Sequence, residues 1–305
     1  MLFRSGFDTR DSTSLERPDE DYSRELARPL KGPGAGLVVT TVRAESHALI
    51  MTIGAYTNGV TPLLGSKADV PNARAIAHRM GVKEANIRYF SDAQLTADGM
   101  RSAFEDLYSR VADNDQVFVY YSGHGGRSRV SESDSRCAAA FVAVDGEWVM
   151  DSEIQQHLNR LAEKAQKVVM FADACHSGGI RTRGATGKLP SGITPRYHAR
   201  AGGDTCDTPV NMIATTLNSR TRYLGQGGNN LVYIAAAREN EVSWDLGEVK
   251  GGAATTAWRE CLLGDARDSD RSGGLSAVEV AECAQRKMND FMARSEEHTS
   301  ELQSR

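Results

Sequence analysis

Long hydrophobic runs are missing from this 305-residue sequence. None approaches the ~18 residues that a membrane-spanning helix requires. A surplus of one charge is missing too. Thirty-six Lys and Arg stand against 40 Asp and Glu, a net charge of −4, which gives no bulk reason to bind nucleic acid or an anionic membrane. Cysteine is scarce and unpatterned: Cys137, Cys175, Cys206, Cys261 and Cys283 form no CxxC pair and no framework-like spacing. Neither a disulfide scaffold nor a thiolate zinc site is expected, and Cys137, Cys261 and Cys283 read as core or incidental. No internal repeat is seen, which sets solenoids aside. What remains is ordinary globular composition, 40% hydrophobic and 25% charged, enough for one large or two small domains.

The ends differ from the middle. Arg294 to Ser304 resembles the translation of a sequencing-library adapter, and Met1 to Ser5 resembles its opposite strand. Residues 1–5 and 294–305 are therefore set aside as adapter-derived, and the chain reads as a fragment. Residues 6–44 are polar and then Gly/Pro-rich, a flexible lead-in with an edge strand at Leu37–Val42. Strands are expected at His47–Gly54, Ile87–Phe90, Gln116–Tyr121, Ala139–Val144, Lys167–Ala172 and Leu231–Ala237. Helical periodicity covers Asp69–Met80, Thr96–Val111, Asp151–Lys164 (capped by Asp151), Gly251–Leu263 and Ser276–Phe291. The stretch 177–230, rich in Gly, Thr and Arg, reads as one long linker. Strands alternating with helices imply an α/β fold, a mostly parallel sheet with helices on both faces.

Two strands run straight into reactive residues. Gln116–Tyr121 delivers Ser122-Gly-His-Gly-Gly126, and Lys167–Ala172 delivers Asp173-Ala-Cys-His-Ser-Gly-Gly179. A thiol at the carboxyl end of a strand, just before a glycine turn, sits on the rim where open α/β sheets place their chemistry. Neighbouring strands can bring His124 and Cys175 together, and a cysteine needs such a base to become a nucleophile. The glycines let backbone amides approach a substrate carbonyl.

With both motifs present, Ala48 to Leu263 resembles the caspase-like cysteine peptidases, most closely their metacaspase and bacterial orthocaspase branch. The resemblance implies a caspase-like fold over 45–264, with Cys175 as nucleophile, His124 as general base and then acid, and the amides of Gly125 and Cys175 as oxyanion donors. It implies that Asp69 and Asp173, with Ser122 beside them, line the pocket for P1, the residue on the acyl side of the cut bond. Carboxylates there call for a cation, so the expected substrates are proteins or peptides with Arg or Lys at P1. In such proteins the linker is often self-cut, and here it offers Arg181, Arg183, Lys188, Arg196, Arg200, Arg220 and Arg222. The resemblance also points to a calcium site near Asp145, Asp151 and Glu153, but the usual adjacent acidic pair is absent. His176 is expected to point away from the thiol, and Trp244, Asp245, Glu239 and Glu241 fall in the substrate-loop region. Trp148 and Trp258 read as packing residues.

Residues 265–293 fit an EF-hand-like helix–loop–helix. Asp268, Asp270 and Ser272 take loop positions 1, 3 and 5, Gly274 offers its carbonyl at 7, and Glu279 stands at 12. The chemistry requires no cofactor, and calcium is the one cofactor suggested. Two rivals remain: a catalytically silent scaffold of the same fold, which usually lacks one dyad member, and a thiol–metal site at His124, Cys175 and His176. Adjacent ligands at 175 and 176 suit zinc poorly.

Overall fold

The computed structural model describes residues 4–5, 44–131, 134–175, 194–198, 230–236, 243–247 and 251–303. The side chains of 4–5, 128–137 and 292–303 are not part of that description. The lead-in with Leu37–Val42, His176, Glu239, Glu241, Cys206 and the linker cations other than Arg196 lie outside the described residues.

The strands are β1 (Arg4–Ser5), β2 (Ser46–Thr52), β3 (Ile87–Ser91), β4 (Gln116–Ser122), β5 (Gly125–Ser131), β6 (Asp134–Val142), β7 (Trp148–Met150), β8 (Lys167–Asp173), β9 (Thr194–Pro195), β10 (Leu231–Ala235) and β11 (Trp244–Asp245). The helices are α1 (Ser66–Arg79), α2 (Ala97–Arg110), α3 (Asp151–Lys164), α4 (Ala253–Glu260) and α5 (Ala277–Gln303). Six strands form the main sheet in the order β1-β10-β8-β4-β2-β3. Every pairing in it is parallel except that of β1 with β10.

Alternation along the central strands divides the core in two. Val117, Val119 and Tyr121 of β4, with Val168, Met170 and Ala172 of β8, face a layer that holds Phe104, Leu107, Ile154 and Leu158 of α2 and α3. Phe118 and Tyr120, with Val169 and Phe171, face Ala73 and Ile76 of α1, Trp258 of α4 and Val280 of α5. Strands buried on both faces are the expected state of a parallel sheet between helices. Each large side chain so buried stabilises the fold by roughly 1.5–3 kcal/mol.

Four features depart from expectation. Gly125–Ser131 is a strand, the edge of a small antiparallel sheet β5-β6-β7. Its Gly-Gly-Arg-Ser-Arg sequence carries turn chemistry and no apolar alternation, so pairing with β6 decides its state. Asp151 is the first residue of α3 and its N-cap is Met150. Cys261 and Cys283 are joined in a disulfide. The core reading of this pair stands, since both are buried, while the expectation that they are incidental does not. A π-helical turn at Cys261–Asp265 brings Cys261 against α5, a proximity that a separation of 22 residues cannot reveal. Helix α5 also continues to Gln303, beyond the expected end at Phe291, because Ser295–Gln303 contains neither Gly nor Pro. No helix among the described residues is long and apolar enough to cross a membrane.

Candidate active site

Register places the two motifs side by side. In the β4–β8 pairing, Ser122 stands opposite Asp173. His124 and Cys175 each lie two residues further on, so both emerge at the carboxyl edge of the sheet, on adjacent strands.

His124 is buried and fixed on three sides. Its backbone N–H donates to Tyr56 Oη (2.6 Å), and its carbonyl accepts from Tyr121 Oη (2.9 Å). Nε2 lies 2.7 Å from the carbonyl oxygen of Thr61. A carbonyl only accepts, so Nε2 carries the proton and Nδ1 is the basic atom. Among the described residues, Nδ1 has no hydrogen-bond partner. Burial lowers the pKa of the ring to about 4, so the imidazole is neutral near pH 7.

Cys175 is wholly buried. Its Sγ accepts from the Ser243 N–H (2.7 Å) and faces the Ser243 carbonyl at 3.2 Å. Burial pushes the thiol up to about 12. The pair is therefore a neutral thiol and a neutral imidazole, as a site sealed from water favours.

What seals it is Arg196. The residue is fully buried, and its guanidinium fills an acidic pocket at the sheet edge. One Nη donates to Asp69 Oδ2 (2.6 Å). The other donates to Ser122 Oγ (2.7 Å) and the Asp173 carbonyl (3.0 Å), and lies 3.5 Å from the Asp173 carboxylate. Burial alone would lower the pKa of Arg196, but the field of Asp173, Asp69 and Asp245 holds it well above its usual value. Burial likewise pushes the Asp69 carboxyl up, against the pull of Arg196. The backbone is held as firmly: Arg196 N–H donates to the Ser243 carbonyl (3.0 Å), and the Arg196 carbonyl accepts from both Gly125 N–H and Cys175 N–H, each at 3.0 Å. Two amides converging on one carbonyl oxygen is the geometry that stabilises an oxyanion.

The three carboxylates are aimed by neutral donors. Asp69 lies in the first turn of α1, where the helix dipole favours an anion, and it accepts from Gly252 N–H (2.7 Å). Asp173 accepts from Ser243 Oγ (2.5 Å) and Thr255 Oγ1 (2.6 Å). Asp245 accepts from the amides of Gly65 (2.9 Å) and Gly247 (3.0 Å). Gly251 has φ +71°, and a Cβ there or at Gly252 would collide with the Asp69 or Asp173 carboxylate. The Gly-Gly pair is thus what lets backbone approach both acids.

Asp69, Ser122, His124, Gly125, Asp173 and Cys175 accordingly meet in one place. Sequence reasoning missed Ser243 and Thr255, whose roles depend on a fold-back that leaves no motif, and found in Asp245 only a residue of the substrate-loop region. Trp258 is buried and packs edge-on against Phe171, and Trp244 pairs with Pro195. Asp268, Asp270, Ser272 and Gly274, in the loop before α5, gather far along the chain with Glu279 of the first turn of α5. One oxygen from each of Asp268, Asp270 and Glu279 lies within 4.8 Å of the others. Among the described residues this is the one such group of three or more. Glu153 instead binds Arg101 (2.5 Å).

The family model of the caspase domain matches residues 45–303. Metacaspase-6 of Arabidopsis thaliana is 28% identical over 142 residues, 44% of this chain and 38% of that protein. Metacaspase-1 of Eremothecium gossypii is 25% identical over 250 residues, 69% of this chain and 54% of that protein. The chain thus spans 38–54% of the length of these two curated relatives. Protein GSU0716 from Geobacter sulfurreducens shares the fold with a TM-score of 0.51 at 17% identity, covering 72% of this chain and 83% of its own. With the family model matched over most of its length, the chain belongs to the caspase-domain family.

Proposed function

We propose that this protein is an endopeptidase that cuts after arginine and, more slowly, after lysine. The carrying observation is Arg196, whose guanidinium is paired with Asp69 while its carbonyl accepts from the Gly125 and Cys175 amides. An arginine of a substrate would take the same seat. Lysine brings the charge but not the fork, since both Nη atoms are used here and an ammonium is a single point. An aspartate at P1 would bring a third unpaired anion beside Asp69 and Asp173.

On this reading the Cys175 thiol turns from Ser243 to the substrate carbonyl and gives its proton to His124 Nδ1. The Thr61 carbonyl holds Nε2–H and so keeps Nδ1 available. The amides of Gly125 and Cys175 take the developing oxyanion, an interaction worth about 3–4 kcal/mol per donor in comparable sites. His124 then protonates the leaving amine, and water releases the acyl group from Cys175. This thiol–imidazole chemistry calls on no cofactor. The test is hydrolysis of matched fluorogenic peptides with Arg, Lys or Asp at P1, by wild type and Cys175→Ala. The expected order is Arg, then Lys, with Asp uncut. Comparable turnover of the Asp and Arg peptides would sink the assignment.

Calcium at Asp268–Glu279 is the second part of the reading. It is supported by an all-oxygen donor set, which suits a hard cation, and by Gly273 at loop position 6 with φ +90°. Asp268 already folds the loop by accepting from the amides of Ser272 (3.0 Å) and Gly273 (2.9 Å).

A further inference from the structure

We propose that Thr255, oriented by Tyr120, makes this pocket prefer arginine to lysine: it locks the Asp173 carboxylate at a distance that a guanidinium tolerates and an ammonium does not. The proposal deepens the arginine-directed reading and rests on it.

The two acids beside the guanidinium are not equivalent. Asp69 touches it directly, at 2.6 Å. The Asp173 carboxylate stays 3.5 Å from Nη1, because both of its oxygens are taken. Ser243 Oγ donates to Oδ1 (2.5 Å). Thr255 donates twice to Oδ2, from Oγ1 (2.6 Å) and from its backbone N–H (3.2 Å). Gly252 closes the remaining side, since a Cβ there would lie 2.0 Å from Asp173 Oδ2.

The direction of the Thr255 hydroxyl is fixed as well. Tyr120 Oη lies 2.7 Å from Thr255 Oγ1. A carboxylate only accepts, so the threonine proton goes to Asp173 and the tyrosine donates to the threonine. Burial holds the Tyr120 phenol well above its usual pKa, which keeps that donor protonated. The ring is stacked on Phe171, with 5.7 Å between centroids, and Tyr120, Thr255 and Asp173 are all wholly buried. Such a chain of hydrogen bonds, each polarising the next, is stiff.

Donor counting shows which substrate this disfavours. Nη1 carries two hydrogens; one goes to Ser122 Oγ (2.7 Å) and the other to the Asp173 carbonyl (3.0 Å). The arm that faces the Asp173 carboxylate has nothing left to give it, so the lock costs arginine no hydrogen bond. Lysine ends one bond short of an arginine Nη and carries three donors at a single point. It needs an acceptor that comes to meet it. Asp69 is held by Gly252 N–H and Ser122 Oγ, each at 2.7 Å, and Asp173 by Ser243 and Thr255, so neither does. Without the Thr255 hydroxyl, Asp173 Oδ2 can turn to an ammonium.

The test is competition between Arg-P1 and Lys-P1 peptides of otherwise identical sequence, mixed in one reaction. The enzymes are wild type, Thr255→Val, Thr255→Ser, Tyr120→Phe and Tyr233→Phe. The ratio of the two kcat/KM values measures discrimination, and a competitor such as Arg196 acts on both peptides alike. Thr255→Val should lower the Arg:Lys ratio about ten-fold, the effect of one hydrogen bond to a charged group, by a gain on lysine with arginine unchanged within about two-fold. Thr255→Ser keeps the hydroxyl and should keep the wild-type ratio. Tyr120→Phe leaves the threonine hydroxyl without its orienting donor and should lower the ratio by about two- to three-fold. Tyr233→Phe removes a buried phenol in the opposite core layer and should leave the ratio alone. A wild-type ratio in Thr255→Val, an equal fall on both peptides, a Thr255→Ser ratio matching Thr255→Val, or a Tyr233→Phe shift as large as that of Tyr120→Phe overturns this proposal alone. Wild type that cuts neither peptide overturns the proposed function instead, and wild type that cuts lysine as fast as arginine overturns both. If Thr255→Val does not fold, Tyr120→Phe decides, and an unchanged ratio there overturns the proposal.

Discussion

Two places in this molecule gather three carboxylates, and they answer the same repulsion differently. In the pocket, Asp69, Asp173 and Asp245 are buried, and Asp69 and Asp173 share a guanidinium. In the loop before α5, Asp268 and Asp270 are exposed, and neutral amides and hydroxyls do most of the pairing: Ser269 and Ser276 supply Glu279 from both sides. Burial makes the first cluster dependent on a full cation, since isolated buried charges cost several kcal/mol each. Water lets the second persist without one. On the proposed reading, a dry acidic cluster would select an organic cation of one shape, and a wet one would at most dock a hard ion.

The contrast can be tested, beginning with the largest effect. Cys175→Ala should lower turnover of an Arg-P1 peptide by about 10⁴-fold or more, while thermal unfolding stays near wild type because the pocket pairing is untouched. Asp69→Asn should cut kcat/KM for that peptide by roughly 10²–10³ through loss of a buried charged hydrogen bond; a matching change at Asp268 should leave kcat/KM unaltered. Equal effects at both positions would erase the distinction.

The third test uses pH. The folded pKa of His124 is lowered to about 4, so between about 4 and 6.5 the unfolded chain binds the extra proton. Stability should fall as pH drops through that window, by up to about 3 kcal/mol in total. Urea unfolding of His124→Gln should show a flatter slope there. Cys283→Ser, which opens the disulfide bracketing the wet loop, should cost about 3 kcal/mol by the chain-entropy argument, read as a lower Tm and reproduced by reductant on wild type. The smallest effect is calcium: a millimolar excess should raise Tm by a few degrees, magnesium less, and Asp268→Ala should abolish the shift.

The sheet was legible because β4 and β8 are short apolar runs ending in chemistry, and periodicity plus two motifs located His124 and Cys175. Asp69 and Asp173 followed from the resemblance and from their position at strand and helix ends. The partners that aim them were not legible. Ser243, Thr255 and Gly252 reach the pocket only because residues near the end of the fold return to the sheet edge, separated from Asp69 by up to 186 positions. Arg196 stood among seven basic linker residues with nothing local to single it out; its choice is made by strand pairing with Trp244–Asp245. The β5 strand hid for the opposite reason, since its glycines dilute its strand pattern.

The glycines at 251 and 252 bear on inhibitor design. Their backbone forms the wall beside the two acids, and peptide planes cannot rotate aside as a side chain can. The cavity for the cation therefore has a fixed width. A flat amidine of arginine's length should enter, whereas a chain lengthened by one methylene or branched near the charge meets an unyielding wall. Selectivity over proteases whose pockets are lined by movable side chains is thus to be sought in rigidity and not in added polar contacts.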